Sequence, residues 1–255
     1  MRRSTPLHAL TLAAALALAA CSPSAAPGLA SLPALSAQDY QGAVADPRRP
    51  SEDRESDANR KPAELLAFTG VAPGQQVGDF IMGGGYLTRL MAAAVGPEGR
   101  VHAYQPGGGG EAQQAVAAAY DNVELVGGTV AAPAFPEGTL DLIITAQNLH
   151  DLYTDRQPAG TAADALAALH RALKPGGTLV VIDHSATAGT GASAAGTLHR
   201  IERQTALAAL QEAGFVLEGE SGIYARSSDS RDVPVFDPSV RGQTDQFVLR
   251  MRRPG

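Results

Sequence analysis

Two polar segments of this 255-residue chain carry side chains able to do chemistry: "QNLHD" at 147–151 and "IDH" at 182–184. The first supplies Asn148, His150 and Asp151, and the second supplies Asp183 and His184. Further on, "HR" adds His199 and Arg200, and a late polar stretch adds Arg241 and Asp245. Imidazole titrates near neutral pH, so a histidine beside a carboxylate is suited to take a proton from a hydroxyl or an amine. His150 is the first candidate for such a base, with Asp151 orienting it or touching substrate, and His184 is the second. The plainer role for either is a hydrogen bond that secures a strand end. His150, Asp151, His184 and His199 lack the short ligand spacing of a zinc centre, so no metal site is expected.

A third segment, "DFIMGGGYLT" at 79–88, places three glycines between an apolar run and a helix-like "RLMAAAV". Glycine costs backbone entropy on folding, so a run of three implies a turn that a ligand approaches closely. A phosphate-cradling loop would need Gly-Lys-Ser/Thr at its end, where this chain has Tyr86 and Leu87. A dinucleotide fingerprint fits Gly83 and Gly85 but finds Thr88 in the third glycine's place, which keeps a nicotinamide-dependent reductase low. A tight turn built only for packing is the remaining alternative.

The elements that would position these residues follow from periodicity. "QVGDFI", "RVHAYQ", "VELVGG", "TLDLIITA" and "TLVVID" are strand-like, and "YLTRLMAAAV", "EAQQAVAAAY" and "AADALAALHRAL" are amphipathic helices between them. "KPGG" is expected to stop the last of these helices. Alternation of this kind implies βαβ units, a parallel sheet and right-handed crossovers. "VLEGES" and "DQFVLRMR" read as a last parallel strand and an antiparallel closing strand, joined by a polar loop over 225–244. In such a sheet ligands sit at the carboxyl ends of the strands, where the glycine turn and both histidine segments fall. "SATAGTGASAAGTLHR" after the fifth strand is flexible by composition. A helix is expected to start at Ser51 and to kink or split at Pro62; its Asp57, Arg60 and Lys61 could cap a bound ligand, but a solvated charged face is the plainer reading.

With these motifs in order, the stretch from about Pro62 to Arg253 resembles the class I S-adenosylmethionine-dependent methyltransferases. "VGDFIMGGGYLT" is similar to their first motif, "TLDLIITAQNLHDL" to their fourth strand, and "ALKPGGTLVVIDH" to their fifth. More narrowly, "NLHD", "DH", "HR" and "RG-TD-F" resemble a group of exported bacterial methyltransferases. The resemblance implies an α/β, doubly wound, mostly parallel seven-stranded Rossmann-like sheet with an antiparallel last strand, and S-adenosylmethionine as cofactor. Asp79 would accept a hydrogen bond from the cofactor's amino group, and Gly83, Gly84 and Gly85 would let the cofactor lie against backbone. A Gly85→Val side chain is accordingly expected to enter ligand space at little cost in stability. Asn148, His150 and Asp151 would face the transferable methyl, with His184 approaching from the fifth strand. The chain departs from the pattern twice. Ile81 replaces the family's first glycine, so the loop is expected to start later or to sit farther from the ligand. Gln105 stands where an acid usually accepts the ribose hydroxyls; it can offer one hydrogen bond without the charge, and Gly107 to Gly110 would bring backbone amides instead.

Composition bounds the partners. A net charge of −6 and scattered basic residues argue against a nucleic-acid partner bound through phosphates. Met1-Arg2-Arg3 followed by an apolar run that ends in "LAAC" reads as a lipoprotein-type signal peptide over 1–21, with Cys21 as the lipidated residue. Residues 22–50, rich in Ser, Ala and Pro, read as a flexible tether, and 51–255 as the methyltransferase-like domain. Two functions follow as expectations. One is a methyltransferase anchored in the bacterial envelope, facing the periplasm, that acts on a small molecule or an envelope component. The other is a non-catalytic ligand-binding lipoprotein on the same fold.

Overall fold

The computed structural model describes Met1 and residues 35–255; the leader, Cys21 and the segment up to residue 34 lie outside the described residues. Seven strands form one sheet: β1 (Gln76–Phe80), β2 (Arg100–Tyr104), β3 (Val123–Val126), β4 (Leu140–Ala146), β5 (Leu173–His184), β6 (Val216–Ser221) and β7 (Gln246–Arg252). Their order is β3-β2-β1-β4-β5-β7-β6, with β7 antiparallel to both β5 and β6 and the other pairings parallel. The order reverses between β1 and β4, which opens the ligand crevice at their carboxyl ends.

Helices α1 (Gln41–Val44), α2 (Ser51–Arg60), α3 (Pro62–Thr69) and α4 (Tyr86–Val95) precede and follow β1. They are followed by α5 (Glu111–Ala119), α6 (Thr161–Ala172), α7 (Ala195–Leu198) and α8 (Arg203–Glu212). Successive strand side chains feed opposite faces of the sheet. Leu142, Ile144, Val180 and Ile182 join Leu90 and Met91 of α4 in one core layer. Ile143, Leu179 and Val181 join Leu166 and Leu169 of α6 in the other.

The structure moves two expected boundaries. The tether expected over 22–50 is folded from Ala37 onward: Tyr40 and Arg49 are buried, and the Tyr40 hydroxyl donates to the Val71 carbonyl. Tyr40 supplies apolar area and Arg49 finds a partner in Asp57 of α2 at 2.6 Å, a combination that composition conceals. The "KPGG" segment does not stand between helix and strand but lies inside β5, since α6 ends at Ala172 and pairing with β4 begins at Leu173. The break at Pro62 falls where expected, with Lys61 left-handed at φ 40° between α2 and α3. Among the described residues no helix is long and apolar enough to cross a membrane.

Candidate active site

The turn from β1 to α4 is built from left-handed residues: Ile81 at φ 66°, Gly83 at 54° and Gly85 at 81°. The loop therefore starts in register at Ile81 itself, not later. A β-branched residue in this region costs roughly 1–2 kcal/mol, because Cβ crowds the following carbonyl. Neighbours hold it there. The Met82 amide donates to the Tyr104 carbonyl at 2.9 Å, and Asn148 donates from Nδ2 to the Ile81 carbonyl at 3.3 Å and to the Ala146 carbonyl at 2.7 Å. Gln105 accepts the Gly83 amide at 3.1 Å, and Gln113 of α5 donates to the Gly83 carbonyl at 2.8 Å. Gln105 thus pins the turn from β2 by its side-chain amide, where the resemblance implied a ribose contact.

Above this turn lies a cavity of about 440 Å³ whose lining includes Asp79, Ile81, Gly83, Gly84, Asn148 and Arg60. The three glycines differ in what they face. A Cβ on Gly83 or Gly84 would meet nothing within 4 Å, whereas one on Gly85 would fall 2.8 Å from Val116 of α5. Gly85 is therefore a packing glycine, and the expectation that its substitution would spare stability is corrected. Gly107 to Gly110 form a turn beside Gln105 and do not line this cavity.

Asp79 is buried at the end of β1 and accepts the Thr88 hydroxyl at 2.6 Å. Burial, opposed in part by that hydrogen bond and by Arg60, pushes its carboxyl up to about 6. Tyr86, missed in the sequence, closes the near wall: its hydroxyl donates to Asp57 at 2.7 Å, and the Arg60 guanidinium lies 4.2 Å from its ring centre. Arg89 reaches back to Asp53 of α2 through Nε at 2.7 Å. The charged face of α2 is thus packed over the glycine turn, not solvated as expected; Lys61 also donates to the Ile223 carbonyl.

A second cavity of about 410 Å³ adjoins the first, and both are lined by Arg60, Tyr86, Leu87, Ala146 and Gln147. It adds His184, Gln246, Arg241, Tyr224, Val235 and Phe236. His184 bonds through Nδ1 to the Thr244 hydroxyl at 2.8 Å, and burial pulls its pKa down to about 4, so the imidazole is neutral at pH 7. His150 and Asp151 line neither cavity. His150 is buried with Nδ1 2.7 Å from Asp183 Oδ1, and its own amide donates to Asp183 Oδ2 at 2.7 Å. Burial alone would lower the His150 pKa, but the hydrogen bond and charge of Asp183, helped by Asp151, leave it raised. Asp183 also accepts the His184 amide, so one buried carboxylate ties the ends of β4 and β5 together.

Of the other charges expected at this edge, Arg241 reaches the cavity and Arg200 and Asp245 do not. Arg200 is wholly buried, donating to both oxygens of Asp229 at 2.8 and 3.0 Å. Asp245 accepts the Arg226 amide at 2.7 Å. These contacts fasten the 225–244 loop, whose Val235 and Phe236 form the outer wall of the second cavity. The "SATAGTGASAAGTLHR" stretch is fastened too, because Glu202 accepts the amides of Gly189 and Gly191 at 2.9 and 2.8 Å.

The order of strands and the glycine turn at the switch point define the class I S-adenosylmethionine-dependent methyltransferase fold. Residues 77–177, which hold the turn, β4 and the start of β5, match the family described as a methyltransferase domain. The ubiquinone/menaquinone biosynthesis C-methyltransferase UbiE of Ectopseudomonas mendocina is 32% identical over 127 residues, covering 47% of this chain and 46% of UbiE. UbiE of Teredinibacter turnerae is 33% identical over 124 residues, 47% of each chain. The chain thus spans about half the length of the curated relatives it matches. Among solved structures, an S-adenosylmethionine-dependent methyltransferase from Aquifex aeolicus superposes with a TM-score of 0.56 at 19% identity, covering 80% of this chain and 98% of that one. The 1,6-didemethyltoxoflavin-N1-methyltransferase of Burkholderia thailandensis, solved with its substrate and S-adenosylhomocysteine, superposes at 0.56 and 17% identity, covering 86% and 87%. Both show the same fold.

Proposed function

We propose that this protein is an S-adenosylmethionine-dependent methyltransferase that acts on a small molecule. The observation that carries the reading is the pair of adjoining cavities at the carboxyl ends of β1 and β4, which share the lining residues Arg60, Tyr86, Leu87, Ala146 and Gln147. Methyl transfer from a sulfonium is an in-line displacement, so holding donor and acceptor on either side of one short gap supplies much of the acceleration. The cofactor occupies the cavity over Gly83 and Gly84, where bare backbone lets its nucleoside lie close. Asp79, ionised above about pH 6, faces its cationic end, and Arg60 is the cation available to its carboxylate. The acceptor occupies the second cavity, whose lining includes Val235, Phe236 and the Tyr224 ring together with the amides of Gln147 and Gln246. That lining suits a compact molecule with one apolar face and one hydrogen-bonding edge. His184, neutral and on the cavity wall, is the group placed to hold or accept the acceptor's proton. The ribose has no carboxylate partner at Gln105, and a neutral amide holds hydroxyls less strongly.

The location is part of the proposal. The leader that ends at Cys21 supports a lipid-anchored protein of the bacterial envelope, facing the periplasm, whose acceptor is an envelope component or a small molecule found there. Mass spectrometry of the membrane fraction should find an acyl modification on Cys21 that Cys21→Ser abolishes. A mature chain that starts elsewhere and carries no lipid overturns the anchoring.

The activity is tested by incubating the protein and isotopically labelled S-adenosylmethionine with envelope extract. Label is expected in a small-molecule product, and His184→Ala should lower its yield by about 10²-fold, the range for a positioned acid or base. Cofactor binding without transfer to any acceptor would replace the enzyme with a ligand-binding protein on the same fold.

A further inference from the structure

The two cavities leave unexplained a polar cluster at this sheet edge. His150, Asp151 and His199 each offer one ligand atom, and the three atoms lie within 4.8 Å of one another. His150 Nε2 is 3.4 Å from Asp151 Oδ1, and His199 Nδ1 is 4.0 Å from the same oxygen. Ligand atoms around a tetrahedral ion at bonds of about 2.0–2.1 Å are roughly 3.3 Å apart, so the cluster stands near that geometry before any ion draws it in. We propose that His150, Asp151 and His199 form a binding site for a divalent transition metal of the zinc class, with at least one position left for water or a ligand oxygen.

Three features point to an ion and not to a chance cluster. First, Asp183 accepts hydrogen bonds from its neighbours, so His150 Nδ1 carries the proton shared with it, and Nε2, on the side of Asp151, is the nitrogen that an ion would take in place of a proton. A buried carboxylate behind a histidine, setting its tautomer and ring plane, is the support that metal-bound histidines have. Second, His199 arrives from a remote part of the chain in a left-handed conformation at φ 54°, which turns it edge-on to His150 with ring centres 5.4 Å apart. Third, the cluster is reachable from solvent: Asp151 is 45% and His199 27% exposed at the side chain, while His150 is 4% exposed. Two imidazoles and one carboxylate suit zinc, cobalt, nickel or ferrous iron and fit magnesium or calcium poorly, since those ions take oxygen donors. Phe236 packs on His199 with ring centres 4.9 Å apart and also lines the acceptor cavity, so an ion here stands beside the bound acceptor.

Cobalt(II) titration of the purified protein, followed by visible absorption, tests the site without reference to methyl transfer. One equivalent is expected to bind with the bands of a four- or five-coordinate ion and to be displaced by zinc. Asp151→Asn and His199→Asn should each weaken binding by at least about tenfold. Asn is chosen at 199 because it tolerates the left-handed conformation. Both variants should melt near the parent, since their side chains are partly exposed. Asp79→Asn should leave cobalt binding unchanged, so loss of the cofactor reading would not remove the metal. No saturable binding by the parent overturns the proposal, and so does equal affinity in the parent and His199→Asn.

Discussion

The two halves of this sheet edge build their sites from different material. On the β1–β2 side the ligand surface is backbone: Gly83 and Gly84 present no side chain, and Gln105, Gln113 and Asn148 serve by gripping the turn. On the β4–β5–β7 side the surface is side chain, and it is held by buried charge. Asp183 ties His150 to His184, and Arg200 with Asp229 fastens the loop that carries Phe236. A backbone site needs particular φ values and tolerates little variation. A side-chain site needs only rigid anchors and leaves its lining free to vary, which is how one fold serves many acceptors.

If that division is right, the largest stability effect lies on the side-chain half. Arg200→Met leaves the Asp229 carboxylate buried and unpaired, and should cost about 3–5 kcal/mol in chemical denaturation. A loss below 1 kcal/mol would show that the loop is not held by this pair. Next comes Asp79. Its raised pKa means that the folded chain keeps a proton that the unfolded chain releases near the ordinary 3.8, so stability falls as pH rises from about 4 to about 6. Asp79→Asn keeps an acceptor for Thr88 and removes that penalty. It should be more stable than the parent by up to about 3 kcal/mol at pH 7.5, with the gain vanishing toward pH 4. Melting curves across that range decide it.

The glycines divide the backbone half more finely. Gly85→Ala must accept φ 81° and a contact with Val116, and should lose roughly 2 kcal/mol, whereas Gly84→Ala should lose almost nothing. A small effect is also expected at Ile81. Ile81→Gly relieves a left-handed β-branched residue while giving up partly buried apolar surface, so the two terms nearly cancel and the net change should stay within about 1 kcal/mol. A loss of several kcal/mol would mean that Ile81 is held for its packing and not tolerated against its strain.

Much of the fold was legible because local pattern and global fold agree here. The strand and helix periods, the break at Pro62 and the antiparallel closing strand follow from residue spacing alone. The ends of the domain were not legible, since Tyr40 and Arg49 look like tether until their partners are known. The turn after β1 was legible from its glycines, but their separate surroundings depend on Val116, which is distant in sequence. The candidate chemical residues were found by type, but their surroundings were not. Sequence expects His150 to face the methyl group; the structure bonds its Nδ1 to Asp183 and leaves it out of both cavity linings, while His184 lines the second cavity. The grouping of His150, Asp151 and His199 has no signature in residue spacing, because His199 comes near only through the return of the chain after β5.

The central claim is that the cavity over Gly83 and Gly84 holds S-adenosylmethionine. Gly84 tests it most directly, because a Cβ there meets nothing within 4 Å and its φ is not left-handed, so a large side chain enters the cavity without straining the turn. Calorimetric titration of the parent and of Gly84→Leu with S-adenosylmethionine, with NAD as control, makes the measurement. The parent should bind S-adenosylmethionine and not NAD, and Gly84→Leu should melt within a few degrees of the parent yet bind at least about 10²-fold more weakly. Equal affinity in the folded variant, or a parent that prefers NAD, would contradict it.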